Sequence, residues 1–153
     1  MVIPRPEYPR PRLTRPQWLN LNGVWQFDRD PGRSGAARGL PVADSLPGEI
    51  LVPFCMESAL SGLGETDFMP AVWYRRTVRI PDDWGSQRVL LHIGACDYAT
   101  RIWVNGQLVA QHLGGYTPIC VEVTDALQAG DNAITICAED DTRSPLQPAG
   151  KQS

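Results

Sequence analysis

Neighbouring carboxylates are the residues whose types could support acid–base or nucleophilic chemistry in this chain. They occur as Asp140-Asp141 and Asp82-Asp83, while Glu57 stands apart from both pairs. Successive side chains on an extended strand point to opposite faces, so neither pair makes a good couple of acid and nucleophile. We interpret all five as turn residues and solvated charges. A Ca²⁺ site at Asp82-Asp83 would need six or more oxygen ligands, and only two are in view.

The aromatic side chains offer faces on which a ring-shaped ligand could stack. Four tryptophans lie in strand-like patterns and are predicted core residues, because Trp buries a large apolar area: Trp18, Trp25, Trp73 and Trp103. Trp84 lies in a turn, where we expect it to join strands. Tyr116, in a Gly-Gly-Tyr loop, is the aromatic to test first for ligand contact, with loop anchoring as the competing role. His92 and His112 are predicted structural histidines.

Nothing in the cysteine pattern predicts a metal site. The four cysteines stand apart from one another and form no C-x-x-C motif or Cys/His cluster: Cys55, Cys96, Cys120 and Cys137. The N-terminus lacks the apolar segment of a secretory signal, so we expect a cytoplasmic protein with reduced thiols. Two disulfides are the alternative if a signal has been trimmed.

Length and charge limit the classes of function that this chain can have. A chain of 153 residues with 42% hydrophobic content predicts one globular domain. Fourteen basic and 17 acidic residues give a net charge of −3, without the basic excess of a nucleic-acid-binding protein. No segment approaches the roughly 20 apolar residues of a membrane helix. We therefore expect no nucleic-acid partner, no membrane span and no cofactor.

Short apolar runs separated by turn residues predict an all-β fold. Fourteen glycines and 14 prolines are spread between short apolar runs that predict seven or eight strands: 24–27, 50–52, 72–80, 88–93, 98–104, 107–112, 119–123 and 133–138. Asn105-Gly106 between two of them predicts a tight hairpin, because both central residues of a type I′ turn need positive φ. The run 88–93 is apolar enough to predict a central strand.

The natural packing of these runs is a two-sheet antiparallel β-sandwich of the jelly-roll type. Residues 1–16 hold five prolines and four arginines, which predicts an extended arm lying over the sandwich. A Pro-rich ligand for an SH3-type domain is the alternative for that arm. Residues 17–153 are predicted to form the sandwich domain, with 30–49 as a surface loop.

An ordered set of motifs carries a family resemblance across residues 10–152. It includes LNGVWQF, ILVPFCMESALSG, VWYRRTVRIPDDW, WVNG, HLGGYTP, VTDAL and EDDTRSPLQPAGKQ. In this order they resemble the N-terminal sugar-binding domain of family 2 glycoside hydrolases, the β-galactosidase and β-glucuronidase group. The resemblance implies a galactose-binding-domain-like jelly roll placed beside a catalytic (β/α)8 barrel, where its loops reach the rim of the sugar pocket.

The resemblance also implies which residues contact the sugar. In the β-galactosidase branch an aspartate just after the last strand does so, which by position is Asp141, with Asp140 as its competitor. Carboxylates suit this role because they accept charge-assisted hydrogen bonds from hydroxyl groups. That branch has asparagine where this chain has Cys55. Because a thiol cannot donate and accept as an amide does, the substrate sugar stays open.

The family carries its two catalytic carboxylates on the barrel, one of them in an Asn-Glu dipeptide that this chain lacks. We therefore expect a non-catalytic domain that helps to bind a β-glycoside. The alternatives are a self-standing carbohydrate-binding module and a structural domain that only packs against the barrel or between subunits. We also expect a chain that ends before its final strand, leaving an open sheet edge that invites dimerisation.

Overall fold

Eight strands in two antiparallel sheets form the fold, as the sequence predicted. The computed structural model describes residues 3–10, 12–85 and 87–145; the second half of the EDDTRSPLQPAGKQ motif, which ends at Lys151-Gln152, lies outside them. The strands are β1 (Gly23–Arg29), β2 (Gly48–Val52), β3 (Ala71–Arg79), β4 (Leu90–Ile93), β5 (Ala99–Val104), β6 (Gln107–Leu113), β7 (Ile119–Glu122) and β8 (Asp131–Glu139). One sheet has the order β2-β1-β3-β8-β5-β6, and the other pairs β4 with β7. This arrangement is the jelly-roll β-sandwich.

The centre of the large sheet is buried on both faces. In β8, Ile134, Ile136 and Ala138 point to the inner face, while Thr135 and Cys137 point outward, and all five are buried. The inner face packs on the second sheet through a continuous apolar core: Trp25, Phe27, Ile50, Met56, Val72, Val78, Leu91, Ile102, Val104, Ile119, Val123, Ile134, Ile136 and Ala138. This core is the main apolar layer of the fold.

A second, smaller apolar cluster covers the outer face of the large sheet. Trp73 and Trp103 stack there with ring centroids 5.3 Å apart. The chain between β1 and β2 packs over them with Leu40 and Leu46. The segment 30–49, predicted to be a surface loop, is therefore a cover for two tryptophans, held in part by a 2.8 Å bond from Arg75 Nε to the Ala43 carbonyl oxygen.

The small sheet contradicts one prediction. Strand β4 was expected to be central, but among the described residues it pairs with β7 alone. Its apolar run alternates: Leu91 is buried in the inner core, while Leu90 and His92 are exposed on the other face. Strand β4 is therefore buried on one face only, since its outward residues Leu90 and His92 stay exposed.

The Asn-Gly hairpin between β5 and β6 has the predicted geometry. Asn105 has φ 51° and Gly106 has φ 80°, as a type I′ turn requires. The Asn105 amide also donates a 2.8 Å hydrogen bond to Oδ1 of Asn132, which is fully buried. The turn is therefore fixed both by its backbone and by a side-chain bond to β8.

The prediction that all four strand-pattern tryptophans are core residues is right for three and wrong for Trp18. Trp18 precedes β1, is 37% exposed and contacts Tyr8 edge to face. The described part of the N-terminal arm folds back here, since Asn22 Nδ2 donates to the Pro4 carbonyl oxygen at 3.2 Å. The division between arm and domain stays a prediction. Within the described ranges, no helix is long and apolar enough to cross a membrane.

Candidate functional site

A cleft of about 1080 Å³ opens between the two sheets at one end of the sandwich. Its floor consists of inner-face side chains, among them Trp25, Val72 and Ile136 from the large sheet and Leu91 from the small sheet. Such a floor offers apolar contact but few hydrogen bonds. Any recognition of a polar ligand must therefore come from the rim.

Five segments supply a polar rim. They are the turn after β2, residues 66–69 before β3, the connection from β4 to β5, the loop from β6 to β7 and the turn after β8. Each adjoins the end of a strand, so the sheets fix where the rim residues lie. Two peptide bonds at this end are cis, Val52-Pro53 and Asp97-Tyr98.

Cys55 and Tyr116, two residues predicted to contact the ligand, both line the rim. Cys55 is an exposed free thiol in the turn after β2. Tyr116 is 79% exposed, so its ring is available to a ligand and does not anchor its loop. The base of that loop is held by His112, whose Nε2 lies 3.1 Å from the Gly114 carbonyl oxygen and 3.1 Å from Thr117 Oγ1.

The two neighbouring aspartates after β8 are separated by the fold. Asp140 lines the cleft, and its backbone N–H donates to the Pro70 carbonyl oxygen at 3.1 Å. Asp141 does not line the cleft, and its Oδ2 lies 3.1 Å from Arg33 Nη2. The structure therefore brings Asp140 together with Cys55 and Tyr116, while Asp141 stands beside them and faces an arginine.

Asp97 is a rim residue that sequence reasoning missed. A Cβ on Gly115 would lie only 2.4 Å from Asp97 Cγ, so the glycine loop closes directly over this carboxyl group. Asp97 is exposed as a residue, but the partial burial of its carboxyl group and the negative charge of Asp140 raise its pKa. In the sequence Asp97 is a single aspartate in a loop. It is recognisable as a rim residue only because the fold brings the loop with Gly115 onto it.

A cation lies on the same rim. The guanidinium of Arg143 lies over the ring of Phe68, 4.0 Å from its centroid, and both residues line the cleft. Stacking on an aromatic ring holds a guanidinium in place while its N–H groups stay available for an anionic ligand. Among the described residues, Arg143 forms no salt bridge.

The rim can accept hydrogen bonds from hydroxyl groups and pair with an anion. Carboxylates at Asp97 and Asp140 are acceptors, and Arg143 is a donor of fixed geometry. Across the ranges that the structure describes, no three His, Cys, Asp or Glu side chains gather in a way that could hold a metal ion. The arrangement therefore suits binding of a polyhydroxylated ligand.

Fold and site together define the class of protein: a jelly-roll β-sandwich with a polar-rimmed cleft at one end. Residues 50–143 match the family model described as glycosyl hydrolases family 2, sugar binding domain. The β-glucuronidase of Paenibacillus borealis is 30% identical over 148 residues, which cover 94% of this chain and 24% of that protein. The chain belongs to this sugar-binding domain family.

Solved structures share this fold. A β-glucuronidase of Ruminococcus gnavus superposes with a TM-score of 0.72 at 22% identity, covering 86% of this chain and 22% of that one. The β-glucuronidase of Bifidobacterium dentium, complexed with coumarin-3-O-glucuronide, gives a TM-score of 0.67 at 29% identity over 78% of this chain and 19% of that one. The chain spans about a quarter of the length of the curated relatives that it matches.

Proposed function

We propose that this chain is the non-catalytic sugar-binding domain of a family 2 glycosidase and that its cleft rim forms part of the enzyme's sugar pocket. The observation that supports this most is the meeting of Cys55, Tyr116 and Asp140 at one cleft mouth, from three segments far apart in sequence. Asp141 lies next to them. A catalytic (β/α)8 barrel, as the partner of this domain, would carry the two carboxylates of the hydrolytic step.

A β-glucuronide is the substrate class that we propose. The relatives named above are β-glucuronidases, and the rim combines acceptors for hydroxyl groups with the guanidinium of Arg143, which suits the carboxylate of a uronic acid. Cys55 stands where the β-galactosidase branch has an amide, which argues against a galactoside. Hydroxyl groups would bind Asp140, and the sugar ring would pack on Tyr116.

Calorimetric titration of the chain with glucuronate, galactose, mannose and glucose tests this proposal. We expect glucuronate to bind with a Kd on the order of 1 mM, which is a weak interaction of about −4 kcal/mol. The variant Asp140→Asn/Asp141→Asn should bind at least about tenfold more weakly, because charge-assisted hydrogen bonds become neutral ones. The matched control is Asp82→Asn/Asp83→Asn, another pair of adjacent aspartates, which lies at a turn outside the cleft.

Each outcome selects one function. Unchanged binding in the control and weakened binding in the rim variant support the proposal. Equal loss in both variants would contradict it, because it would show that only net charge matters. Micromolar binding by the isolated chain would favour a self-standing carbohydrate-binding module.

The apolar floor of the cleft favours a second candidate function, a structural domain that packs against the barrel or between subunits. Phe68 at the rim is 37% exposed above this floor and would suit an apolar protein surface better than a sugar. A chain that binds none of the four sugars would support this candidate and overturn the sugar role.

Dimerisation through an open sheet edge stays a prediction. In the described part of the chain, β2 and β6 end the large sheet, and β4 and β7 each have one neighbour. The free side of such a strand exposes N–H and C=O groups that can pair with another copy. We expect the elution volume in size-exclusion chromatography to decrease as the loading concentration rises. A monomer at every concentration would contradict this.

A further inference from the structure

The two adjacent aspartates after β8 face different surroundings, which allows different roles for them. Asp140 lines the cleft, as do Thr142 and Arg143, while Asp141 does not. The carboxylate of Asp141 is engaged on both oxygens. Oδ2 lies 3.1 Å from Arg33 Nη2, and Oδ1 accepts a 3.3 Å hydrogen bond from the Arg143 backbone N–H.

The arginine that meets Asp141 stands on a well-anchored loop. Arg33 has φ 51°, and its backbone N–H donates to the Asp30 carbonyl oxygen at 3.1 Å. Asp30 itself is 2% exposed and accepts a 3.0 Å hydrogen bond from the Trp73 indole. The backbone at Arg33 is therefore tied, through Asp30, to the outer-face core of the sandwich.

The turn after β8 is fixed around Asp141. The Ser144 N–H donates to the Asp141 carbonyl oxygen at 2.8 Å, which closes the turn, and the Asp140 N–H is bonded to Pro70. Of the two neighbouring aspartates only Asp140 lines the cleft, while Asp141 is held by Arg33 and by its turn.

We propose that Asp141 and Arg33 are a positioning pair, and that Asp140 is the aspartate that contacts the sugar. This inference rests on the proposed sugar-binding function and adds Arg33 as a determinant of it. It also assigns the direct sugar contact to Asp140, which the family resemblance gave only as the competitor of Asp141. A positioning pair needs one positive and one negative partner, whichever residue carries each. A direct contact needs a carboxylate at position 141.

Exchanging the two charges separates the two roles. The variants are Arg33→Asp, Asp141→Arg and the double exchange Arg33→Asp/Asp141→Arg, each titrated with glucuronate by calorimetry. We expect each single variant to bind about fivefold more weakly, the change that a half-exposed ion pair supports. The double exchange should recover part of the lost affinity, because it restores the ion pair but not the hydrogen bond from the Arg143 N–H to residue 141. The matched control is Arg79→Asp/Asp82→Arg, an exposed ion pair of 3.8 Å away from the cleft, which should leave affinity unchanged.

The outcomes distinguish this inference from the proposed function. Wild-type binding with no recovery in the double exchange overturns the positioning role of the ion pair. A wild-type chain that binds no sugar overturns the proposed function and this inference with it. Unfolding in urea is measured for all variants, so that a loss of affinity can be compared with any loss of folded protein. In the recovered double exchange, Asp140→Asn should still weaken binding, since that residue would make the contact.

Discussion

Replacing Asp30 by alanine should lower the free energy of unfolding by about 3 to 5 kcal/mol, because its carboxylate is the acceptor for three N–H groups. Asp30 is 2% exposed, and its carboxylate accepts hydrogen bonds from Gly35 N at 2.6 Å, Ser34 N at 2.9 Å and the Trp73 indole at 3.0 Å. Removing it leaves several buried donors without an acceptor, at a cost of about 1 to 3 kcal/mol for each. Urea unfolding monitored by tryptophan fluorescence measures the change.

Two control variants separate the parts of this network. Asp30→Asn keeps the shape and one acceptor oxygen, so we expect a smaller loss of about 1 to 3 kcal/mol. Arg38→Ala removes the nearby cation, whose side chain is 47% exposed, and should cost less than about 1 kcal/mol. If Asp30→Ala cost no more than Arg38→Ala, the buried hydrogen bonds would not be the source of stability.

The same carboxylate predicts a pH dependence. Burial alone would raise the pKa of Asp30, but the N–H groups of Ser34 and Gly35, the Trp73 indole and the Arg38 charge together lower it. The folded state therefore binds fewer protons than the unfolded state just below the ordinary pKa of about 4. The stabilisation is complete above that pH and is lost as the pH falls through the folded-state value. Wild type should lose more stability than Asp30→Asn between about pH 5 and pH 2.

Local patterns predicted the elements well because they depend on neighbours in sequence. The strand-like runs 24–27 and 72–80 and the turn chemistry of Asn105-Gly106 each specify their own segment, and the structure confirms them as β1, β3 and the hairpin turn. The failures concern long-range packing. The position of β4 in the sandwich depends on which strand pairs with it, and the four residues of β4 do not specify that partner.

The candidate site shows the same limit. Cys55 and Asp140 were found through family position and Tyr116 through its place in a Gly-Gly-Tyr loop, whereas Asp97 depends on a loop 18 residues further on closing over it. Asp30 looked like the first residue of a surface loop and is instead a buried acceptor for Trp73. A buried carboxylate has no local signature, because its burial is decided by the tryptophan of another strand.

Replacing Phe27 by alanine should remove about 3 to 5 kcal/mol of stability, the usual cost of truncating a buried aromatic residue. Phe27 is fully buried, and its ring meets Tyr74 edge to face with centroids 5.4 Å apart. The pair lies directly opposite across β1 and β3, and on its other side Phe27 faces Gly48. Because glycine has no side chain to move into the space, the cavity left by alanine should stay largely open.

Phe68→Ala is the matched control, because this ring is 37% exposed and contacts Arg143 at the cleft rim. We expect a cost of about 1 kcal/mol or less, from a solvated cation–π contact and little buried area. Both variants are unfolded in urea, where an unchanged slope with a lower midpoint identifies a loss of native stability. A cost below about 2 kcal/mol for Phe27→Ala would mean that Trp25 and Ile50 close the cavity. Since Tyr74 also lines the cleft, such a rearrangement would reach the floor of the site, and glucuronate affinity of the variant would report it.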